Sequence, residues 1–182
     1  MYHEGIKQYF DAKRIANKRI SSRGGQKAGQ YRPKDLPSNG EISEELAKLV
    51  ELLEEDKDQR LLALREVAVF VMNQLKEFSP RLIGSVSTGR IRRDSDIDLH
   101  VFSDQIEHLE ATLQHLRWQY EKQQVMIKKG NQFIEYTHIY LQGEFPVELS
   151  VYPRSELRVV SRSSTDGKPI KRLKLIDVER LC

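Results

Sequence analysis

The sequence predicts an α/β (α+β) chain: a small mixed β-sheet with helices packed on one face, plus N-terminal helices. Three observations predict it. Apolar residues recur at helical spacing over residues 43–56, 60–77 and 105–120. Later runs alternate apolar and polar residues at period two, over 96–102, 133–141 and 147–152. Turn chemistry separates these runs, at Lys129-Gly130-Asn131 and Gln142-Gly143-Glu144.

Length and composition bound the rest. The chain has 182 residues, enough for one domain with a real core and room for an appendage. It is 38% hydrophobic and 31% charged, with a net charge of +3. The low apolar content predicts that part of the chain is peripheral. Cys182 is the single cysteine, so no disulfide framework forms within the chain. No apolar run has signal-peptide length at the N-terminus, and none is long enough to span a membrane. These features predict a soluble, cytoplasmic chain with no membrane partner.

Taken in order, residues 2–20 predict a helix, with Ile6, Tyr9 or Phe10, Ile15 or Ala16, and Ile20 on its apolar side. From Ala12 to Lys34 there are eight basic residues and no acidic one. Residues 21–40 hold four glycines and two prolines, which predicts a loop. Residues 1–40 are therefore an expected basic arm, and 41–182 the expected main domain. The arm, with Tyr31, has the composition to meet nucleic acid or an acidic partner, but a charge run is more often a solvated face. Next comes a helix over 43–56, with Ser43 as N-cap and Leu46, Leu49, Val50 and Leu53 inward. The helix over 60–77 buries Leu61, Leu64, Ala68, Val71, Met72 and Leu75, and stops at Ser79-Pro80. Ser103 or Asp104 is the expected cap of the helix at 105–120, which Trp118 and Tyr120 end against the sheet. His108 and His115 lie on that helix without a carboxylate or cysteine at ligand spacing, and predict no zinc site. Strands are expected at 125–128, 133–141 and 147–152. Short helices are expected at 155–160 and 173–181. The polar segment 161–172 has Asp166-Gly167 as a turn and is either an anion-binding or a plain surface loop.

The chemistry concentrates in Arg81–Phe102, RLIGSVSTGRIRRDSDIDLHVF. Leu82-Ile83 is apolar and halts at Gly84-Ser85. An Arg-rich turn follows, then an alternating run. On a strand, Ile97, Leu99 and Val101 share one face, while Asp96, Asp98, His100 and Phe102 share the other. Asp96 and Asp98 then stand about 7 Å apart at Cα. Two such acids repel and are costly to desolvate, and a hard divalent cation such as Mg²⁺ or Mn²⁺ relieves both penalties. Gly84 allows a close backbone approach, and backbone N–H groups with the Ser85 hydroxyl can hold phosphate oxygens. A calcium loop D-x-D-x-D-G with a late Glu is excluded. Counting from Asp94, Leu99 stands where Gly is needed and Gln105 where Glu is needed. In FPVELSVYP the alternation repeats, with Val147, Leu149 and Val151 inward and Glu148, Ser150 and Tyr152 on the other face.

Gly84-Ser85, Gly89 and Ser95-Asp96-Ile97-Asp98-Leu99 together resemble the polymerase-β-like nucleotidyltransferase superfamily, in particular its minimal nucleotidyltransferases. With the neighbouring elements the resemblance covers roughly residues 60–152. It implies a nucleotidyltransferase-type sheet with the acids on its open face. It implies that Asp96 and Asp98 are catalytic acids bridging two Mg²⁺ (or Mn²⁺) ions. It implies transfer of a nucleoside monophosphate from a nucleoside triphosphate to a hydroxyl. Gly84, Ser85 and Ser95, with Arg90, Arg92 or Arg93, are the implied nucleotide-binding residues. A third acid follows on a later strand, which makes Glu148 the candidate. The alternative is a structural Glu148 paired with Arg90 or Arg92, with Glu135 as the next acid to consider. The acceptor is a protein, a small molecule or an RNA end. An antitoxin-like binding module on the same fold is the non-enzymatic alternative. The family's usual helical substrate domain is not evident in the sequence.

Overall fold

The computed structural model describes residues 1, 6, 8–23, 36–129, 132–163 and 167–182. Residues 2–5 and 7 of the first expected helix lie outside them. So do residues 24–35 of the arm, with Lys27, Tyr31, Arg32 and Lys34, and the turn residues Gly130, Asn131 and Asp166. The chain divides into two compact units, Met1–Glu54 with Ser163–Lys168, and Glu55–Arg162 with Pro169–Cys182. Among the described residues no helix is long and apolar enough to cross a membrane.

The first unit carries α1 (Tyr9–Arg23) and α2 (Asn39–Leu53). The apolar stripe expected on α1 is not buried: Phe10 and Ile20 are exposed. Helix α2 starts four residues before the expected position. Its cap is Ser38, not Ser43. Ser38 Oγ accepts from the Glu41 N–H at 3.1 Å, and the Ser38 N–H donates to Glu41 Oε2 at 2.7 Å. This reciprocal pair is a capping box, written in the sequence as Ser38-x-x-Glu41. Leu46 and Val50 are the buried residues of α2.

The second unit opens with α3 (Lys57–Gln74), whose face of Leu64, Ala68, Val71 and Met72 is buried as the spacing predicts. A 3₁₀ turn at Lys76–Phe78 follows, and Ser79 takes a left-handed conformation ahead of Pro80. The sheet comprises β1 (Arg81–Leu82), β2 (Ile97–Phe102), β3 (Tyr120–Lys129), β4 (Gln132–Leu141) and β5 (Val147–Tyr152). Its order is β1-β2-β5-β4-β3. Only β2 and β5 run parallel; the other neighbours are antiparallel, so the sheet is mixed. Between strands lie α4 (Gly84–Thr88) and α5 (Ile106–His115), and α6 (Leu175–Glu179) closes the chain.

Side-chain parity sorts the sheet into two faces. Ile97, Leu99, Val101, Ile139, Leu141, Val147, Leu149 and Val151 join one buried cluster with Leu64, Ala68, Met72, Leu109, Leu113 and Val178 of the helices. The helices therefore cover that face. Phe102, Tyr136 and Tyr152 form a separate, smaller cluster on the other face. Arg172 binds the C-terminal segment there. Its guanidinium donates to His100 Nδ1 at 3.0 Å, to the Val159 carbonyl at 2.8 Å and to Ser161 Oγ at 3.1 Å.

Several boundaries differ from expectation for local reasons. Helix α5 stops at His115, because Arg117 turns left-handed at φ 57°. Tyr120 is thus not the end of α5 but the first residue of β3, opposite Leu141. Neither Ser103 nor Asp104 caps α5: Ser103 Oγ accepts from the Gln105 N–H, and Asp104 accepts from the Arg154 N–H. Strand β3 runs longer than residues 125–128 because it pairs with β4 along its full length. Residues 154–158 form a 3₁₀ turn.

Candidate metal and nucleotide site

The open face of the sheet brings the acids together through register. Strands β2 and β5 pair with Asp98 opposite Glu148. Asp96 lies one residue before β2 begins. One oxygen from each of Asp96, Asp98 and Glu148 lies within 4.8 Å of the others. Asp96 is exposed, and Asp98 and Glu148 are half-buried. Burial pushes the Asp98 carboxyl up to about 7, helped by the nearby Asp96 and Glu148 charges and opposed by His138. The Tyr140 hydroxyl, on the strand position opposite Glu148, is also pushed up, first by burial and then by Glu148 and Asp96.

Glu148 does not pair with Arg90 or Arg92. Its partner is His138, whose Nδ1 stands 2.6 Å from Glu148 Oε1. Sequence reasoning passed over this histidine. Its parity on β4, with Tyr136 and Tyr140, was the available signal. Glu135 has the opposite parity, the same as Ile139, so it points to the helical side and stays outside the acid cluster. His108 and His115 also stay away from the acids. His108 Nε2 meets Glu77 Oε2 at 3.2 Å on the surface, and His115 is exposed.

The Gly84-Ser85 corner is the start of α4 rather than a simple turn. Gly84 sits at φ 69°, where side chains are disfavoured, and an added Cβ would fall onto Asp98 Oδ2. The glycine therefore makes room for the carboxylate. Ser85 Oγ donates to Ser95 Oγ at 3.2 Å, and the Arg92 N–H donates to the same Ser95 oxygen at 2.8 Å. Ser95 thus ties the arginine loop back to α4. Buried Ile91 anchors the loop, while Arg90 and Arg93 are exposed and Arg92 is half-buried. Ser95→Ala is expected to lower stability by about 1 kcal/mol, because it strands the Arg92 N–H and the Ser85 hydroxyl. A denaturant midpoint, at unchanged slope, measures it. An unchanged midpoint would show that solvent replaces both bonds.

No protein-family model matches this chain, and no curated protein matches it. Among the solved structures that show a likeness are the following three. A structure of the GLD-2/RNP-8 complex aligns at 19% identity and TM-score 0.33, over 60% of this chain and 46% of that one. A cytoplasmic RNA terminal U-transferase aligns at 16% identity and TM-score 0.35, over 63% of this chain and 35% of that one. The non-canonical poly(A) polymerase complex GLD-2–GLD-3 aligns at 18% identity and TM-score 0.33, over 64% and 40%. The chain spans less than half the length of each.

Proposed function

We propose that this chain is a metal-dependent nucleotidyltransferase. The observation that carries the reading is the convergence of Asp96, Asp98 and Glu148, with ligand oxygens within 4.8 Å of one another. Three carboxylates this close suit a hard divalent cation, and the suppressed ionisation of Asp98 is the cost that such a cation offsets. Their oxygen-only donor set fits Mg²⁺ or Mn²⁺. Asp96, Asp98 and Glu148 would together hold the ions. When bound, such ions polarise the acceptor oxygen and neutralise the leaving phosphates.

The proposed reaction moves a nucleoside monophosphate from a nucleoside triphosphate to a hydroxyl. The acceptor oxygen bonds to the α-phosphorus, the bridging oxygen bond breaks, and pyrophosphate leaves. Gly84 and Ser85 would face the β- and γ-phosphates, with Ser95 beneath them. For this the Ser85 hydroxyl must turn from Ser95 toward the ligand. Arg90, Arg92 and Arg93 would add positive charge from the loop. Glu148 would take the acceptor proton or hold the ion that acidifies the hydroxyl. Glu148→Gln is expected to lower turnover by about 10²–10⁴-fold with far less effect on triphosphate affinity. Single-turnover transfer and triphosphate binding on the same variant measure it. Near-normal transfer would remove Glu148 from the catalytic set.

The reading is tested by titrating a nucleoside triphosphate with and without Mg²⁺. Affinity is expected to depend on the metal, and equal affinity in both conditions counts against it. For the acceptor, a protein or small molecule is the first reading. An RNA end is the second, favoured by the exposed cations Arg14, Lys18 and Arg19 on α1. Labelled-nucleotide transfer to RNA, against a pull-down for a protein partner, separates them. A protein partner bound without any transfer would favour the non-enzymatic binding module. Residues 1–40 are proposed as an arm and 41–182 as the catalytic domain. A truncation testing this belongs before Ser38, since a later cut removes the α2 capping box.

A further inference from the structure

We infer that His138 is a positioning residue for Glu148, holding its carboxylate in place for the cation. The inference rests on the metal-site reading above and adds a residue to it.

Glu148 is one methylene longer than Asp96 and Asp98. Its carboxylate therefore swings through one more side-chain torsion than theirs. A ligand with that freedom loses more entropy on meeting an ion, unless something fixes it first. His138 stands where it can do this. Strand β4 runs antiparallel to β5, with Tyr140 opposite Glu148 and His138 opposite Ser150. His138 is thus the diagonal neighbour of Glu148 on the open face. Its Nδ1 lies 2.6 Å from Glu148 Oε1. A carboxylate accepts, so the ring proton belongs on Nδ1. Oε1 accepts this bond, and a Glu148 carboxylate oxygen lies in the shared space with Asp96 and Asp98.

The other ring nitrogen decides between a packing role and this one. His138 is 8% exposed, and its Nε2 is buried without a hydrogen-bond partner among the described residues. A side chain selected for packing alone leaves no such atom unpaired, because an apolar residue of similar size fits the pocket without the penalty. Among the described residues, the one hydrogen bond shown for the ring is the one to Glu148. Partners that hydrogen-bond to metal-ligating carboxylates commonly govern affinity in this way, and their loss typically weakens metal binding about 10–100-fold.

The test is Mn²⁺ binding by electron paramagnetic resonance, which requires no acceptor and no turnover. His138→Leu and His138→Ala remove the donor, and whichever melts as a folded protein is read. His138→Asn keeps an N–H at nearly the same reach. Removal of the donor is expected to weaken Mn²⁺ binding about 10–100-fold, and His138→Asn to recover most of it. In a Glu148→Gln background the same removal should cost nothing further, since His138 acts only through Glu148. Wild-type Mn²⁺ affinity in the donor-less variants overturns the inference. An equal loss in the Glu148→Gln background overturns it too, and assigns His138 a general structural role. If Glu148→Gln weakens binding while the His138 variants do not, the metal-site reading stands and the inference falls. If the wild-type protein binds no Mn²⁺, both fall together.

Discussion

Asp98→Asn is expected to abolish nucleotidyl transfer and, at the same time, to raise the melting temperature of the metal-free protein at pH 8. The two effects share one cause. Asp98 is held among two other carboxylates and away from water, and its carboxyl is pushed from 3.8 up to about 7. The folded chain therefore binds this proton more tightly than the unfolded chain. Stability from that proton is full below about pH 4, is eroded as pH rises, and is gone above pH 7. At pH 8 the ionised Asp98 works against the fold by a few kcal/mol, since each pKa unit is worth about 1.4 kcal/mol. Asn keeps the shape and removes the charge. The expected gain is about 5 °C or more at pH 8, converted at roughly 2–4 °C per kcal/mol for a chain of this size, and close to nothing at pH 4. Wild-type protein should recover the difference when Mg²⁺ is added, because the ion binds the folded state alone. Asp98→Asn should not respond to the ion. Transfer should fall by about 10³-fold or more, as metal charge stabilisation contributes several kcal/mol. Melting curves at pH 4 and 8, with and without Mg²⁺, read all of this. A lower melting temperature for Asp98→Asn at pH 8 would mark the carboxylate as structural.

The alternation that puts Asp98 on the open face was legible in the sequence. Ile97-Asp98-Leu99 and Val147-Glu148-Leu149 carry it, and the strands sit where that period places them. The helix-facing sets of α3 and α5 were legible for the same reason: a repeating period averages over many residues. Single-residue events were harder. The start of α2 at Ser38 turned on one reciprocal bond pair, which competed with the equally good cap residue Ser43. The end of α5 turned on one left-handed residue, Arg117, which no local propensity marks. His138 was missed because its role exists only across strands. Two strands of unknown order must pair before a histidine on β4 meets a glutamate on β5. The spacing of residues within one motif says nothing of such a partner. Gly84 was singled out for backbone freedom toward a ligand, while the structure shows its freedom used toward Asp98.

That use makes Gly84→Ala the second variant with a large expected effect. The backbone at φ 69° disfavours any side chain, which alone costs about 1 kcal/mol. The added methyl meets more than the tip of a mobile side chain. It would overlap Asp98 Oδ2, and stand 3.1 Å from Cγ and 3.3 Å from Cβ. Rotating the carboxylate clears the oxygen but leaves the carbons tight, so α4 or β2 must also shift. The corner is pinned from both sides: the Ile83 N–H donates to the Asp98 carbonyl at 3.0 Å, and Ser87 Oγ returns to the Gly84 carbonyl at 2.8 Å. Overpacking of this kind typically costs about 1–3 kcal/mol. The carboxylate that moves is also one of the three in the acid cluster, so Mn²⁺ affinity should fall with stability. A Gly84→Ala/Asp98→Ala double variant separates the two contributions. Removing the carboxylate relieves the contact with Oδ2 and Cγ, so Gly84→Ala should cost less stability in an Asp98→Ala background than in the wild-type background, compared at pH 4 where the Asp98 charge adds nothing. What remains is the cost of the left-handed backbone, which Asp98 does not share. An equal cost of Gly84→Ala in both backgrounds would show that the strain belongs to the glycine's φ alone. Wild-type Mn²⁺ affinity in Gly84→Ala would show that Asp98 reaches the ion from another rotamer, and would take from Gly84 its role in shaping the site.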